Sequence, residues 1–82
     1  MSVLIDLPIE EACSEKWRRG QAVYGLEFVG DPVLELHSEL IDAMNYVQTA
    51  SELGVQMGTM HAELHQMCER VRAIYATVRG AD

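Results

Sequence analysis

Asp31-Pro32-Val33-Leu34-Glu35-Leu36-His37-Ser38-Glu39-Leu40-Ile41-Asp42-Ala43-Met44-Asn45-Tyr46 is the stretch on which the fold turns. Asp before Pro suits a helix start. The carboxylate can accept from the free N–H groups of the first turn, and a proline there has no N–H to leave unpaired. At 100° per residue, Val33, Leu36, Leu40, Met44 and Val47 fall on one arc, the expected core stripe of an amphipathic helix. Glu35, Glu39, Asp42 and Tyr46 fall on a second arc about a third of a turn away, because spacings of four, three and four return to one face.

Three carboxylates are thus stacked in a row, and no Lys or Arg lies between Asp31 and Leu53 to relieve them. Like charges at these spacings cost a few tenths of a kcal/mol per pair, so the row is either a mildly unfavourable solvated face or the seat of something positive. A divalent metal is one candidate, since Mg²⁺ takes oxygen ligands from carboxylates, waters and substrate phosphates. A basic partner surface is the other, and the chain's own arginines are included in that alternative.

Glu39-Leu-Ile-Asp42, within Glu39-Leu-Ile-Asp-Ala-Met-Asn-Tyr46, resembles the second acidic motif, Glu-x-x-Asp, of the all-α nucleoside triphosphate pyrophosphohydrolases, the MazG-like group. The preceding Tyr24-Gly-Leu-Glu-Phe-Val-Gly-Asp-Pro32 looks like the lead-in of small phage-encoded relatives. Together the likeness spans residues 22 to 50. In that family the acidic motifs of adjacent helices hold Mg²⁺ against the triphosphate, and water is directed at the α–β phosphate link. The resemblance therefore implies Glu39 and Asp42 as metal-binding and catalytic residues, Glu35 as a third, and Tyr24 and Tyr46 as nucleotide contacts. The family's other motif, Glu-x-x-Glu, is not intact. The nearest upstream acids, Glu11 and Glu15, are four apart and so are Glu35 and Glu39. That spacing keeps two carboxylates on one face, which preserves metal binding on geometry and leaves turnover open.

Length bounds what the fold can do. Eighty-two residues make a single domain, 1–82, which buries only about 60 to 65% of its unfolded surface, so oligomerisation is a natural remedy. The net charge of −7 argues against non-specific nucleic-acid or anionic-membrane binding, which needs basic patches. No apolar run approaches the roughly 18 residues of a membrane span. Two cysteines, Cys13 and Cys68, without a signal-like start point to a reducing cytoplasm, that of a bacterial host if the gene is phage-borne, with both thiols buried as small apolar groups.

In chain order, Asp6 as cap and Pro8 in the first turn predict a short helix over Leu7 to Arg19. Lys16, Arg18 and Arg19 lie at its carbonyl end and Gly20 is its stop. Ile9, Cys13 and Trp17 recur every four residues and are expected in the core. Gly20 to Gly30 reads as an ordered loop that plugs the core with Tyr24, Phe28 and Val29, or else walls a nucleotide pocket with Tyr24 or Phe28.

In the last third, Leu53, Met57, Met60, Leu64, Met67, Val71, Ile74 and Val78 alternate spacings of four and three, a heptad-like seam. Gly54 and Gly58 mark the bend before this helix, which starts between Val55 and Met60. Beside the seam, His61, His65 and Glu69 share a face, but His-Ala-Glu-Leu-His is not the metalloprotease order and no cysteine joins the arc. Arg70, Arg72 and Arg79 form a basic group suited to salt bridges, to phosphate or to the acidic row of a neighbour.

The expectation is an all-α fold: a short N-terminal helix, an ordered loop and a long antiparallel helical hairpin, joined into a helical-bundle homodimer through residues 53–78. The function expected from the resemblance is Mg²⁺-dependent nucleotide pyrophosphohydrolysis, or nucleotide binding with reduced turnover. Two alternatives stand beside it: a small acidic phage counter-defence or host-takeover protein that occupies a basic surface of a host protein, and a structural helical oligomer.

Overall fold

A computed structural model of the chain describes residues 3–24 and 30–80, the side chains of 23 and 24 excepted. Every element in it is helical: a single 3₁₀ turn at Leu4–Asp6, then α1 (Ile9–Tyr24), α2 (Pro32–Glu52) and α3 (Met60–Gly80). There is no strand among the described residues.

The start of α2 follows from the Asp-Pro pair. Asp31 is extended and its Oδ1 accepts from the N–H of Val33 at 2.9 Å and of Leu34 at 3.4 Å, while Pro32 occupies the first helical position. The end follows from Gly54. Its φ of +94° lets the chain leave the helix so that the Val55 N–H reaches the Ala50 carbonyl and the Gly54 N–H reaches the Ser51 carbonyl, each at 3.0 Å. This double closure is the Schellman arrangement, in which glycine takes the left-handed position without a Cβ penalty.

The core lies between α2 and α3. Leu40, Cys68 and Val71 are buried together, with Val33, Ile41, Met44 and Leu64 packed around them, and Val47 is buried further along α2. Leu36, expected in that stripe, is half exposed at 50%. The face that α2 turns to α3 is centred nearer Leu40 and Met44, so Leu36 lies at its edge, whereas His37 is the half-buried neighbour. The seam of α3 is likewise shared unevenly. Leu64 and Val71 face α2, Cys68 widens that contact, and Tyr75 is half-buried. Leu53, Met60, Met67, Ile74 and Val78 stay exposed and Met57 half-buried.

Helix α1 departs furthest from expectation. It runs to Tyr24, past Gly20, because no positive φ or side-chain cap intervenes there and one glycine inside a helix costs only about 1 kcal/mol. Lys16, Arg18 and Arg19 therefore sit mid-helix, where Glu15 pairs with Arg18 and, at 3.1 Å, with Arg19. Asp6 ends the preceding 3₁₀ turn instead of capping α1. Ile9 (75% exposed), Cys13 and Trp17 (58% exposed) face outward, so the expected core role of this stripe is not realised, nor is burial of the Cys13 thiol. Among the described residues α1 packs on the Leu4–Asp6 turn and meets neither α2 nor α3, so this stripe has no described surface to pack against. The loop plug expected from Phe28 and Val29 lies outside the described residues.

The chain is correspondingly extended. Its radius of gyration is 15.5 Å, against about 12 Å for a compact domain of this length.

Candidate functional site

The acidic ridge of α2 is the feature that the sequence singles out, and α2 holds it rigidly. Glu35 follows the Asp31 cap by one turn, Glu39 and Asp42 lie one and two turns further on, and Tyr46 closes the row. All four side chains are exposed. Their outward aim follows from their place about a third of a turn around the same helix from the buried Leu40 and Val47.

Among the described residues, Glu35, Glu39 and Asp42 accept no hydrogen bond and enter no ion pair. The described ion pairs are elsewhere: Glu15 with Arg18 and Arg19, and His65 Nδ1 with Glu69 Oε1 at 3.0 Å. The arginines of α3 are engaged otherwise or stand apart. Arg72 Nε donates to His37 Nε2 at 2.9 Å, Arg79 lies 5.2 Å over the Tyr75 ring, and Arg70 has no partner among the described residues.

No three His, Cys, Asp or Glu side chains among the described residues converge as a metal site. The ridge alone would give Mg²⁺ one or two carboxylates at a time, with the remaining oxygens drawn from water, phosphate or another chain. The row His61, His65, Glu69 supplies the His65–Glu69 pair and no third ligand converging on it. Of the two tyrosines implied as nucleotide contacts, Tyr46 is exposed beside the acids. Tyr24 ends α1, and its ring lies outside the described side chains, as does all of Phe28.

Two concavities among the described residues lie away from the ridge. An open hollow of about 450 Å³ sits at the α2–α3 turn, between Val47, Ser51, Gly54, Val55 and Met57. A second, of about 470 Å³, runs along α1 past Leu7, Glu11 and Arg18. Neither of these two hollows includes Glu35, Glu39 or Asp42. An exposed, charged face without described partners suits recognition of a complementary surface more directly than enclosure of a small molecule.

Sequence reading missed the His37–Arg72 contact. Its partners are 35 positions apart, and no spacing rule links residues across two helices. Both cysteines are free thiols, Cys68 buried against Met44 and Cys13 exposed. No described helix is long and apolar enough to cross a membrane. Compared with known proteins, the chain matches no family model, no curated protein and no solved structure.

Proposed function

We propose that this chain is a small acidic helical interaction protein that presents Glu35, Glu39 and Asp42 to a basic surface of another protein. The observation that carries the reading is that three exposed carboxylates share one helical face with no basic partner among the described residues. Such a ridge raises the local concentration of a cationic surface and orients it on approach, effects that weaken as salt screens the charges. In this reading α2 and α3 form an antiparallel hairpin, supported by the paired contacts of Met44 with Cys68 and of His37 with Arg72. Pairing of two copies through residues 53–78 would present two ridges.

The test is binding of an arginine-rich peptide followed by fluorescence anisotropy at low and high salt. Neutralising the ridge as Glu35→Gln, Glu39→Gln, Asp42→Asn weakens binding about tenfold or more. Neutralising Glu11, Glu52 and Glu69 removes the same charge elsewhere and has a smaller effect. Equal losses in the two triple variants would mean that net charge alone is being read and would overturn the proposal.

A Mg²⁺-dependent nucleotide pyrophosphohydrolase, or a nucleotide-binding relative without turnover, is the second reading, favoured by Glu39 and Asp42 sharing an exposed face. It requires a rise in melting temperature with Mg²⁺ and a nucleoside triphosphate that the ridge variant abolishes, because a ligand that binds the folded state stabilises it. A melting temperature indifferent to both ligands removes it.

A further inference from the structure

The surface area of the chain exceeds what its mass calls for. It exposes 7013 Å², whereas a compact monomer of 9.2 kDa exposes about 4,900 Å². The surplus of roughly 2,000 Å² is more than the about 800 Å² per partner that a standard interface covers. Exposed apolar side chains of α3 contribute to it. Met60, Met67 and Ile74 recur every seven residues, stay 45 to 54% exposed, and are flanked by Val78 one turn beyond. At 100° per residue they lie about 70° around α3 from the stripe of Leu64, Cys68 and Val71 that meets α2. In an antiparallel pair, half-exposed Leu36 falls on that same side, and the His37–Arg72 contact falls on the opposite side.

The charges bordering this face say what covers it. Glu63 and Arg70 are seven residues apart on its outer edge, and Arg70 has no partner among the described residues. A second α3 laid parallel, with the twofold axis along the helices, would turn this edge toward the opposite, apolar edge that carries Leu64 and Val71 in each copy, leaving Glu63 and Arg70 unmatched. Laid antiparallel, the same edge meets itself reversed, so each acid meets a base.

We infer that the face is covered by α3 of a second copy of this chain, antiparallel about a twofold axis at Met67. That register stacks Met67 on its counterpart and sets Met60 opposite the partner's Ile74. It also places Glu63 beside the partner's Arg70, a pairing that the symmetry makes twice. Four methionine side chains along the seam, Met60 and Met67 with the partner's Met60 and the partner's Met67, adapt their shape to close it. This register rests on the reading that two copies pair through residues 53–78, and it is independent of what the acidic ridge binds.

Sedimentation equilibrium of the full chain reads the outcome. The wild type sediments as a dimer, and Glu63→Arg and Arg70→Glu each raise its dissociation constant at least about tenfold. The double exchange restores dimerisation to within about threefold of wild type, which no unfolding or general charge effect would do. Met67→Glu gives a monomer, with helix content by far-UV circular dichroism reporting whether the chain stays folded. A 9.2 kDa monomer at every concentration overturns both the register and the pairing of copies. A dimer indifferent to the single exchanges, or one that the double exchange leaves weakened, overturns the register alone.

Discussion

Arg72 Nε donates to His37 Nε2 across 2.9 Å, and among the described residues this is the only hydrogen bond between nitrogen or oxygen atoms that crosses from α2 to α3. The contact sits at the rim of the helix pair. Its net worth is accordingly modest, about 0.5–1.5 kcal/mol, because water competes for both groups. Arg72→Gln or His37→Leu should lower the melting temperature by several degrees. A double-variant cycle should recover a coupling of that size, and additive losses would show that the two side chains do not act on each other.

The Asp31 cap is a local stability prediction. Its carboxylate serves two first-turn N–H groups at once, so Asp31→Ala should cost about 1 kcal/mol, whereas Asp31→Asn keeps the acceptor and costs less. Chemical denaturation of the two variants separates them. An equal loss in both would point to the carboxylate charge as the stabilising feature instead of the accepted hydrogen bonds.

Gly54 tests the connection between α2 and α3. A side chain at φ +94° is strained even though nothing lies within 4 Å of a Cβ built there. Gly54→Ala should therefore destabilise by about 1–2 kcal/mol through the backbone alone. Gly20→Ala, inside α1 and also free of close neighbours, should instead stabilise that helix by up to about 1 kcal/mol, read as increased helicity.

Much of the α2–α3 unit is legible in the sequence. Asp31-Pro32 marks the start of α2 and Gly54 its end, while of the eight residues in the four-three alternation only Leu64 and Val71 lie at the α2–α3 core, with Met67 exposed and Cys68 buried in its place. These signals are local, and local backbone chemistry answers them. What the pattern cannot tell is which apolar stripe finds a partner. Ile9, Cys13 and Trp17 have the periodicity of a buried face, yet among the described residues α1 meets neither of the other helices. The extension of α1 through Gly20 was hidden for a related reason, since the basic cluster that reads as a helix end serves as i+3 and i+4 partners of Glu15. The ridge of Glu35, Glu39 and Asp42 is visible in the sequence as a pattern and is exposed in the structure, but no spacing rule within one chain names what would cover it.

The two thiols offer an independent check on this division. Cys13 is exposed and Cys68 is 5% exposed in the core, so a disulfide reagent should modify one thiol per chain quickly and the second at least about tenfold more slowly, after opening of the α2–α3 contact. Cys13→Ser should remove the fast phase and leave the slow one.

The central structural claim is that α2 against α3 is the packed unit and that α1 stands outside it. Hydrogen exchange resolved by residue tests this most directly. The account predicts that the slowest amides cluster around Leu40, Val47, Cys68 and Val71, with those of α1 exchanging at least about a hundredfold faster. Amides of α1 protected to the same degree as those around Leu40 and Val71 would contradict it.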